Sequence, residues 1–313
     1  MKKLFKYAGY LILSSLILIS LYISNLFLMK PYSIDHYLAK ELTLNLLDSP
    51  EFMTYIGIFD PFNAILKHNQ KLSIDSLEDG EKNYQDTLKH LEMLKKYNSN
   101  NLTDVQKITQ KIAIFDTENS IDRFENFRFH SYPFNQIGGN HLNSVEFMTD
   151  THPIRTYREA TDYIKRVKLF DDSMNSDLVW LEEQKKLGIF APKFVFDHVI
   201  RQLKELIAYT DDNNPLMQVF IKKVNELDIS TKKKEALFSE LSEVILSDVK
   251  PGYKSILQFM ETNYDQANKH HGVWSLPNGD AFYASRLRSY TTTNYTAEEI
   301  HQIGLSEVAR IGD

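Results

Sequence analysis

The 313-residue sequence contains no cysteine. This absence excludes disulfides, thiolate metal sites, cysteine nucleophiles and membrane attachment through a lipidated cysteine. Glycine is scarce, at 11 residues, and the sequence has neither a phosphate-binding glycine loop nor a Gly-x-Ser-x-Gly nucleophile elbow. Any chemistry that the chain supports must therefore use oxygen and nitrogen groups.

Positive charge is also in short supply. The formal net charge is -6 at pH 7, and no basic stretch with interleaved aromatic residues occurs. Such a charge distribution offers no attraction for phosphate backbones, so nucleic acid is not an expected partner. The hydrophobic content of 42% and the charged content of 25% are those of a folded globular protein.

The amino terminus carries an uncharged run over residues 7–29, preceded by Lys2, Lys3 and Lys6. As a helix, this run reaches roughly 34 Å, enough to cross a hydrocarbon core of about 30 Å. Its length favours an uncleaved transmembrane anchor over a signal peptide. Lysines before the run predict a cytoplasmic tip, a single-pass anchor within residues 1–30, and residues 31–313 outside the inner membrane, in the periplasm where an outer membrane exists.

The rest of the chain predicts an all-α protein, because apolar residues recur at three- and four-residue spacing. Residues 31–313 are expected to form one large multi-helix domain. We expect an irregular loop near 130–153, which has two prolines and a Gly-Gly pair. Helices are predicted near 33–47, 50–58, 78–97, 103–129, 156–168, 171–187, 192–210, 215–227, 231–248, 252–268, 280–290 and 297–311. Capping boxes are predicted at Thr103/Gln106, Thr156/Glu159 and Thr296/Glu299.

The histidines do not form a recognisable metal motif. None of the ten is followed by glutamate, and no two are four residues apart, so the His-Glu-x-x-His zinc helix is absent. The adjacent pair His270 and His271 would point in different directions on a helix. The sequence therefore predicts no metal ligands and no catalytic residues in this chain.

Three segments together carry a resemblance to a known family. They are YPFNQIGGNHLNSVEFMTDTHPIRTYREATDYIKRV at 132–167, GIFAPKFVFDHVIRQL at 188–203, and GVWSLPNGDAFYASRLRSYTTTNYTAEEIHQIGLSEVARI at 272–311. In content, order and spacing they resemble the bacterial family catalogued as domain of unknown function 885. The last segment is the most specific, and the resemblance covers most of residues 31–313.

This resemblance implies an exported or membrane-tethered helical protein that is similar to zinc metallopeptidases. In that family, a His-Glu pair followed by Pro-Gly-His supplies the zinc ligands and the general base, and it lies beyond the Glu-Glu-Ile-His helix start. The present sequence ends just after that helix start. It therefore resembles the amino-terminal half, without zinc of its own, and we expect it to be inactive alone. A carboxy-terminal half encoded downstream is implied.

The resemblance also implies a peptide substrate held between two helical halves, one wall of which this chain would supply. Arginine and hydroxyl groups near the end of the chain could hold a peptide carboxylate or backbone. The alternative is an ordinary helix surface followed by a turn, with Trp274 packing that turn against the core. The candidate substrate-binding residues are Tyr283, Arg286, Arg288, Tyr290, Thr291, Thr292 and Thr293.

Two functions are therefore open. The first is the amino-terminal portion of a membrane-anchored, extracytoplasmic metallopeptidase-like enzyme, separated from the rest by a frameshift, a split gene or a partial sequence. The second is a non-catalytic helical envelope protein that binds a peptide or protein partner.

Overall fold

The computed structural model describes residues 2–312, apart from the side chains of residues 2–5 and 8. The terminal residues 1 and 313, which belong to the predicted cytoplasmic tip and outer domain, lie outside the described part. The described chain is helical and forms no strand, only two isolated bridges. The predicted all-α class is confirmed.

The helices follow one another through the described chain with short connections. They are α1 Lys2–Leu28, α2 Ile34–Leu47, α3 Pro50–Ile56, α4 Asn63–Leu66, α5 Leu77–Lys95, α6 Asp104–Phe127, α7 Asn140–Glu146, α8 Tyr157–Lys168, α9 Phe170–Lys186, α10 Lys193–Ala208, α11 Pro215–Asn225, α12 Thr231–Val244, α13 Lys250–Thr262, α14 Gly279–Thr291 and α15 Ala297–Gly312. Two π-helical turns, Phe147–Thr151 and Ile245–Val249, follow α7 and α12 directly.

The predicted capping boxes form at α6 and α15. The Thr103 hydroxyl accepts from the Gln106 backbone N–H at 3.3 Å, while the Gln106 side chain accepts from the Thr103 N–H at 3.0 Å. Thr296 and Glu299 repeat the exchange at 3.2 and 2.7 Å. At α8, Thr156 caps the Glu159 N–H, but Glu159 accepts from the Arg155 N–H instead. Each pairing satisfies backbone donors that the first helical turn leaves free.

The irregular segment predicted near 130–153 is shorter than expected. It extends only to Gly139, because α7 and its π-helical turn occupy residues 140–151. The helix-breaking residues explain the difference: Pro133, Gly138 and Gly139 lie before α7, and Pro153 lies after the π-turn. Nothing between them prevents a helix.

A second difference concerns the helix break predicted between 248 and 252. Residues 231–262 are helical throughout, and the π-helical turn Ile245–Val249 comes just before Pro251. Proline has no N–H and its ring clashes with the preceding helical turn, so a wider turn lets the helix continue past it. Pro251 therefore widens one turn of the helix and does not end it.

The chain divides into two compact units. The first comprises Met1–Asp48 and Gln85–Ile121. It has a small apolar core of Ile34, Tyr37, Leu94 and Tyr97, and the Tyr37 hydroxyl lies 2.6 Å from His90 Nδ1. Burial, reinforced by Glu41, raises the pKa of Tyr37, so this hydroxyl is neutral at ordinary pH.

The first unit includes the apolar helix α1. By length and composition, its segment Gly9–Leu28 could cross a membrane, although a signal sequence would pass the same test. Near its end, Asn25 is buried and bridges the turn that follows. Its amide donates to the Lys30 carbonyl at 2.9 Å and its oxygen accepts from the Tyr32 N–H at 3.0 Å. The turn between α1 and α2 is thus closed by one side chain.

The second unit comprises Ser49–Tyr84 and Asp122–Asp313 and contains the larger core, built mainly by α8 to α13. Within it, α13 packs on both α9 and α10. Gly252 makes the α9 contact possible, because a β-carbon there would lie 2.9 Å from Met174 Cβ and 3.2 Å from Asp171 Cα. Neither of those atoms can move without moving α9 itself.

This close approach predicts that Gly252→Ala destabilises the protein. The added methyl group forces α9 and α13 apart, which costs about 1–3 kcal/mol and outweighs the gain of up to about 1 kcal/mol in helix propensity. The test is urea unfolding of the full chain in detergent micelles. Gly304→Ala is the control, because a β-carbon on this α15 glycine meets nothing. Equal unfolding midpoints for the two variants would contradict the packing argument.

Candidate functional site

The predicted substrate-binding residues lie on α14 and the turn after it. Tyr283 and Tyr290 are exposed, and the Arg286 guanidinium lies 4.7 Å from the Tyr290 ring centre and donates to its hydroxyl at 2.7 Å. The structure therefore brings Arg286 and Tyr290 together on one face. Arg288 is on the same helix and has interactions of its own.

The three threonines close the end of α14. The Thr291 hydroxyl donates to the Leu287 carbonyl at 2.8 Å and lies 2.8 Å from the Thr293 hydroxyl. Thr292 takes the left-handed backbone conformation that ends the helix. The Thr292 hydroxyl donates to the Thr291 carbonyl at 2.7 Å, so all three hydroxyls have short-range partners within the turn.

The turn before α14 is tight, but Trp274 does not pack it against the core. This residue is 61% exposed and lies over Gly272, where a β-carbon would overlap the indole. The residues that hold the turn are the buried Leu276 and the Pro277 carbonyl, which accepts from His130 Nε2 at 2.7 Å. The expectation for Trp274 is wrong because its indole covers only its own turn.

The adjacent histidines face different neighbours. The His270 ring lies 5.0 Å from Trp274, and the His271 ring lies 5.1 Å from Phe194. Among residues 2–312, no group of three or more histidine, aspartate or glutamate side chains is disposed to hold a metal ion. The described donor set therefore does not fit zinc.

Helix α15 has no buried residue along its described length. Its apolar side chains Ile303, Leu305, Val308 and Ile311 are all about half exposed or more. The capping box at Thr296 holds the helix start, Ile300 is partly buried, and the other described residues of the helix are exposed. Exposed apolar side chains gathered on one helix are a common feature of contact surfaces.

A buried arginine organises another part of the second unit. Arg166 is fully buried on α8 and donates from Nε to the Lys71 carbonyl at 2.5 Å. Its Nη2 donates to the Thr54 hydroxyl at 3.0 Å and to the His68 carbonyl, and Nη1 donates to His152 Nδ1 at 3.2 Å. This side chain ties the segment after α3 to α8.

The two histidines beside Arg166 are held neutral. Burial lowers the pKa of His152 well below its usual value, with Arg166 and Lys223 adding to the effect. Burial likewise lowers the pKa of His68, although Asp60, 3.5 Å from its Nε2, opposes this. His152 Nε2 and both ring nitrogens of His68 find no hydrogen-bond partner among the described residues.

A polar pocket of about 350 Å³ opens between the segment around Ser73, α7 and α9. Its shape is fixed by three contacts: Glu51 accepts from the Ser73 N–H and hydroxyl, both at 2.6 Å, and Ser176 donates to the Asp75 carbonyl at 2.7 Å. The lining residues are Glu51, Leu72, Ser73, Asp75, Asn140, Asn143, Ser144, Phe147, Ser173, Ser176 and Asp177. No lysine, arginine or histidine of the described chain lines it.

Asp177 is the most perturbed acid of this pocket. Burial raises its pKa to about 7, the Asn140 amide, which donates to Asp177 Oδ2 at 2.9 Å, opposes the rise, and Asp75 adds to it. The carboxyl thus changes charge near neutral pH, which is typical of functional sites as well as of buried structural acids.

Sequence reasoning missed this pocket, because its residues come from three separate stretches of chain. The one available signal was the recurrence of serine and aspartate at Ser73 and Asp75 and again at Ser173, Ser176 and Asp177. Such residues are common on helix surfaces, so their convergence is visible only in the fold.

The chain belongs to the bacterial family of unknown function described as DUF885, which matches residues 50–313. This confirms the family resemblance. A search of the curated proteins found no significant match.

Among solved structures, the fold is similar to that of a protein from Colwellia psychrerythraea that is provisionally described as a lipoprotein. The two share 21% sequence identity with a TM-score of 0.72. The match covers 86% of this chain but 48% of the Colwellia chain. The present chain therefore spans about half the length of the solved protein, and the similarity at this identity concerns the fold.

The Arg166 contacts predict a large effect of Arg166→Met. Methionine fills similar space but leaves the carbonyls of His68 and Lys71 buried without their donor, so we expect a loss of about 3–5 kcal/mol in the free energy of unfolding. Urea unfolding monitored by circular dichroism measures it. Arg201→Met, which removes an exposed arginine paired with Glu205, should change stability by less than about 0.5 kcal/mol. A similar result for both variants would show that the buried contacts contribute little.

The neutral state of His152 predicts a stability that falls in acid. Its pKa in the folded state lies below that in the unfolded state, so its contribution is complete above about pH 6.5 and is lost as the pH falls, by up to about 1.4 kcal/mol per pH unit. His152→Gln keeps an acceptor for Arg166 and should flatten the dependence between about pH 6.5 and 5. His198→Gln, at an exposed site, should leave it unchanged. Equal pH slopes in all three proteins would refute the assignment.

Proposed function

We propose that this chain is the amino-terminal half of a membrane-anchored, extracytoplasmic protein of the metallopeptidase type, and that α14 and α15 face its carboxy-terminal half. The observation that carries the proposal is the uncovered apolar side of α15, with Ile303 and Val308 exposed. The 48% coverage of the solved Colwellia protein supports it, since that protein has about as much chain again.

The proposed location follows from the amino terminus. Residues 9–28 are apolar enough to span a bilayer, and the lysines before them favour a cytoplasmic amino terminus. The single-pass anchor would leave the second unit outside the cytoplasm, in the periplasm where the cell has one. The description of the Colwellia protein as a lipoprotein supports an envelope location.

The wall that this half would offer to a peptide is the exposed face of α14. The Arg286 guanidinium, oriented by Tyr290, would receive a peptide carboxylate in a charge-assisted hydrogen bond. Tyr283, Arg288 and the hydroxyls of Thr291, Thr292 and Thr293 belong to the same proposed wall. The zinc ligands and the general base would come from the other half, because the described donors of this chain do not fit a metal.

The test is co-expression of the full chain with the polypeptide encoded directly downstream, followed by purification in detergent. We expect a stable complex with chelator-sensitive peptide hydrolysis, and no hydrolysis by this chain alone, because the metal-binding motif would reside in the partner half. Arg286→Ala should raise KM for peptides without dissolving the complex, by about tenfold for one lost charge-assisted contact.

The matched interface variants are Ile303→Asp combined with Val308→Asp, and Ile137→Asp as the control at an exposed apolar residue outside α15. The double variant should lose the complex and the control should keep it. If no downstream frame encodes a His-Glu and Pro-Gly-His stretch, or if the double variant still assembles, the non-catalytic binding protein becomes the better description.

A further inference from the structure

The polar pocket beside α9 is a candidate ligand site. It is independent of the proposed function, because all its residues belong to this chain. We propose that it binds a small aliphatic diamine or polyamine through Asp75 and Asp177, in the negative field to which Glu51 adds. Its volume of about 350 Å³ is within the range of small-molecule sites.

Two serine hydroxyls that open into the pocket are the observation that points to a ligand. Ser173 is 3% exposed and Ser144 is 9% exposed, both line the pocket, and neither oxygen is among the described polar atoms that are sealed from the surface without a partner. Hydroxyls left open toward a cavity are suited to accept from an ammonium group.

The charges of the pocket select a cation. Asp75 and Glu51 bring negative charge, no cationic side chain of the described chain lines the pocket, and Arg166 packs behind Phe147 at 5.1 Å from its ring centre. Glu51 is already fixed by Ser73, so it adds field more than direct contact. Asp177 has one oxygen on Asn140, which leaves the other available to a ligand.

The arrangement of the acids argues against a metal ion. They do not form a group of three that could hold one cation among the described residues. Separated carboxylates instead match an elongated molecule with an ammonium at each end and methylenes against Leu72 and Phe147. A free amino acid fits less well, because no cationic side chain lines the pocket to receive its carboxylate.

The test is isothermal titration calorimetry of the full chain in detergent micelles with 1,4-diaminobutane. We expect saturable binding to the diamine, at least about tenfold weaker binding of 4-aminobutanoate, and none of 1,4-butanediol, because the carboxylates recognise two positive charges. Equal binding of the diol would overturn the proposal in favour of apolar contact alone. Tight binding of Ca²⁺ that displaces the diamine would overturn it in favour of a metal site, and no heat with any probe would dismiss the pocket as a ligand site.

Variants locate the binding. Asp177→Asn and Asp75→Asn should each weaken diamine binding about tenfold, and Ser173→Ala about fivefold. Asp172→Asn, an exposed acid on the same helix, is the control and should bind as the native chain does. If Asp177→Asn fails to fold, Asp75→Asn keeps the test intact, because the Asp75 side chain is exposed. Equal affinity of the Asp75, Asp177 and Asp172 variants would place any binding elsewhere.

Proton release gives an independent readout. At about pH 7, Asp177 is partly protonated, so a bound ammonium should displace up to about one proton, whereas the amine itself stays charged. Titrations in two buffers of different ionisation enthalpy measure this number, and the affinity should fall as the pH is lowered from about 8 to about 6. No proton release, or the same release in Asp177→Asn, would contradict the role of Asp177.

Discussion

A guanidinium keeps its charge at any physiological pH, so burying one obliges the surrounding chain to supply acceptors. Arg166 recruits two backbone carbonyls, of His68 and Lys71, together with Thr54 and His152. The segment between α3 and α5 supplies both carbonyls: Lys71 follows the short helical turn His68–Gln70, and the His68 carbonyl accepts from the Lys71 N–H as well as from Arg166. The hydrogen bonds of Arg166 therefore hold that segment against α8.

The polar pocket inherits its position from this arrangement. Residues 72–75 form one of its walls and directly follow Lys71, whose carbonyl is held by Arg166. Glu51, at the start of α3, reaches Ser73 across the same stretch. The Arg166 guanidinium, the Phe147 ring and the acids of the pocket thus follow one another in consecutive layers. The positive charge of Arg166, which stabilises the fold, therefore also affects the electric field in the pocket.

The sequence was informative where the physics is local. Apolar periodicity and the Thr103 and Thr296 caps predicted every long helix, since these signals act over one or two turns. The turns at 60–70, the helix α7 and the polar pocket were missed, because they depend on contacts between distant segments. Trp274 shows the same limit: whether an indole beside a turn is buried depends on what packs over it, which no neighbouring residue reveals.

The family match shows which proteins the chain is related to, but it does not show what the chain does, because one fold can carry different functions. The function has to be argued from the residues of the site. The proposed substrate wall on α14 and the pocket beside α9 are separate groups of residues with opposite charge character. Arg286 offers positive charge on a surface, whereas Asp75 and Asp177 offer negative charge in a cavity. The two proposed sites therefore suit chemically different molecules, which would not compete for the same residues.

Asn25 has a mechanical consequence. Its two hydrogen bonds, to the Lys30 carbonyl and the Tyr32 N–H, make the connection between α1 and α2 rigid. In a bilayer, a change in the tilt of α1 would therefore change the orientation of α2 as well, because no flexible linker lies between the two helices. The thickness of the surrounding lipid would then set the angle at which the first unit stands on the membrane.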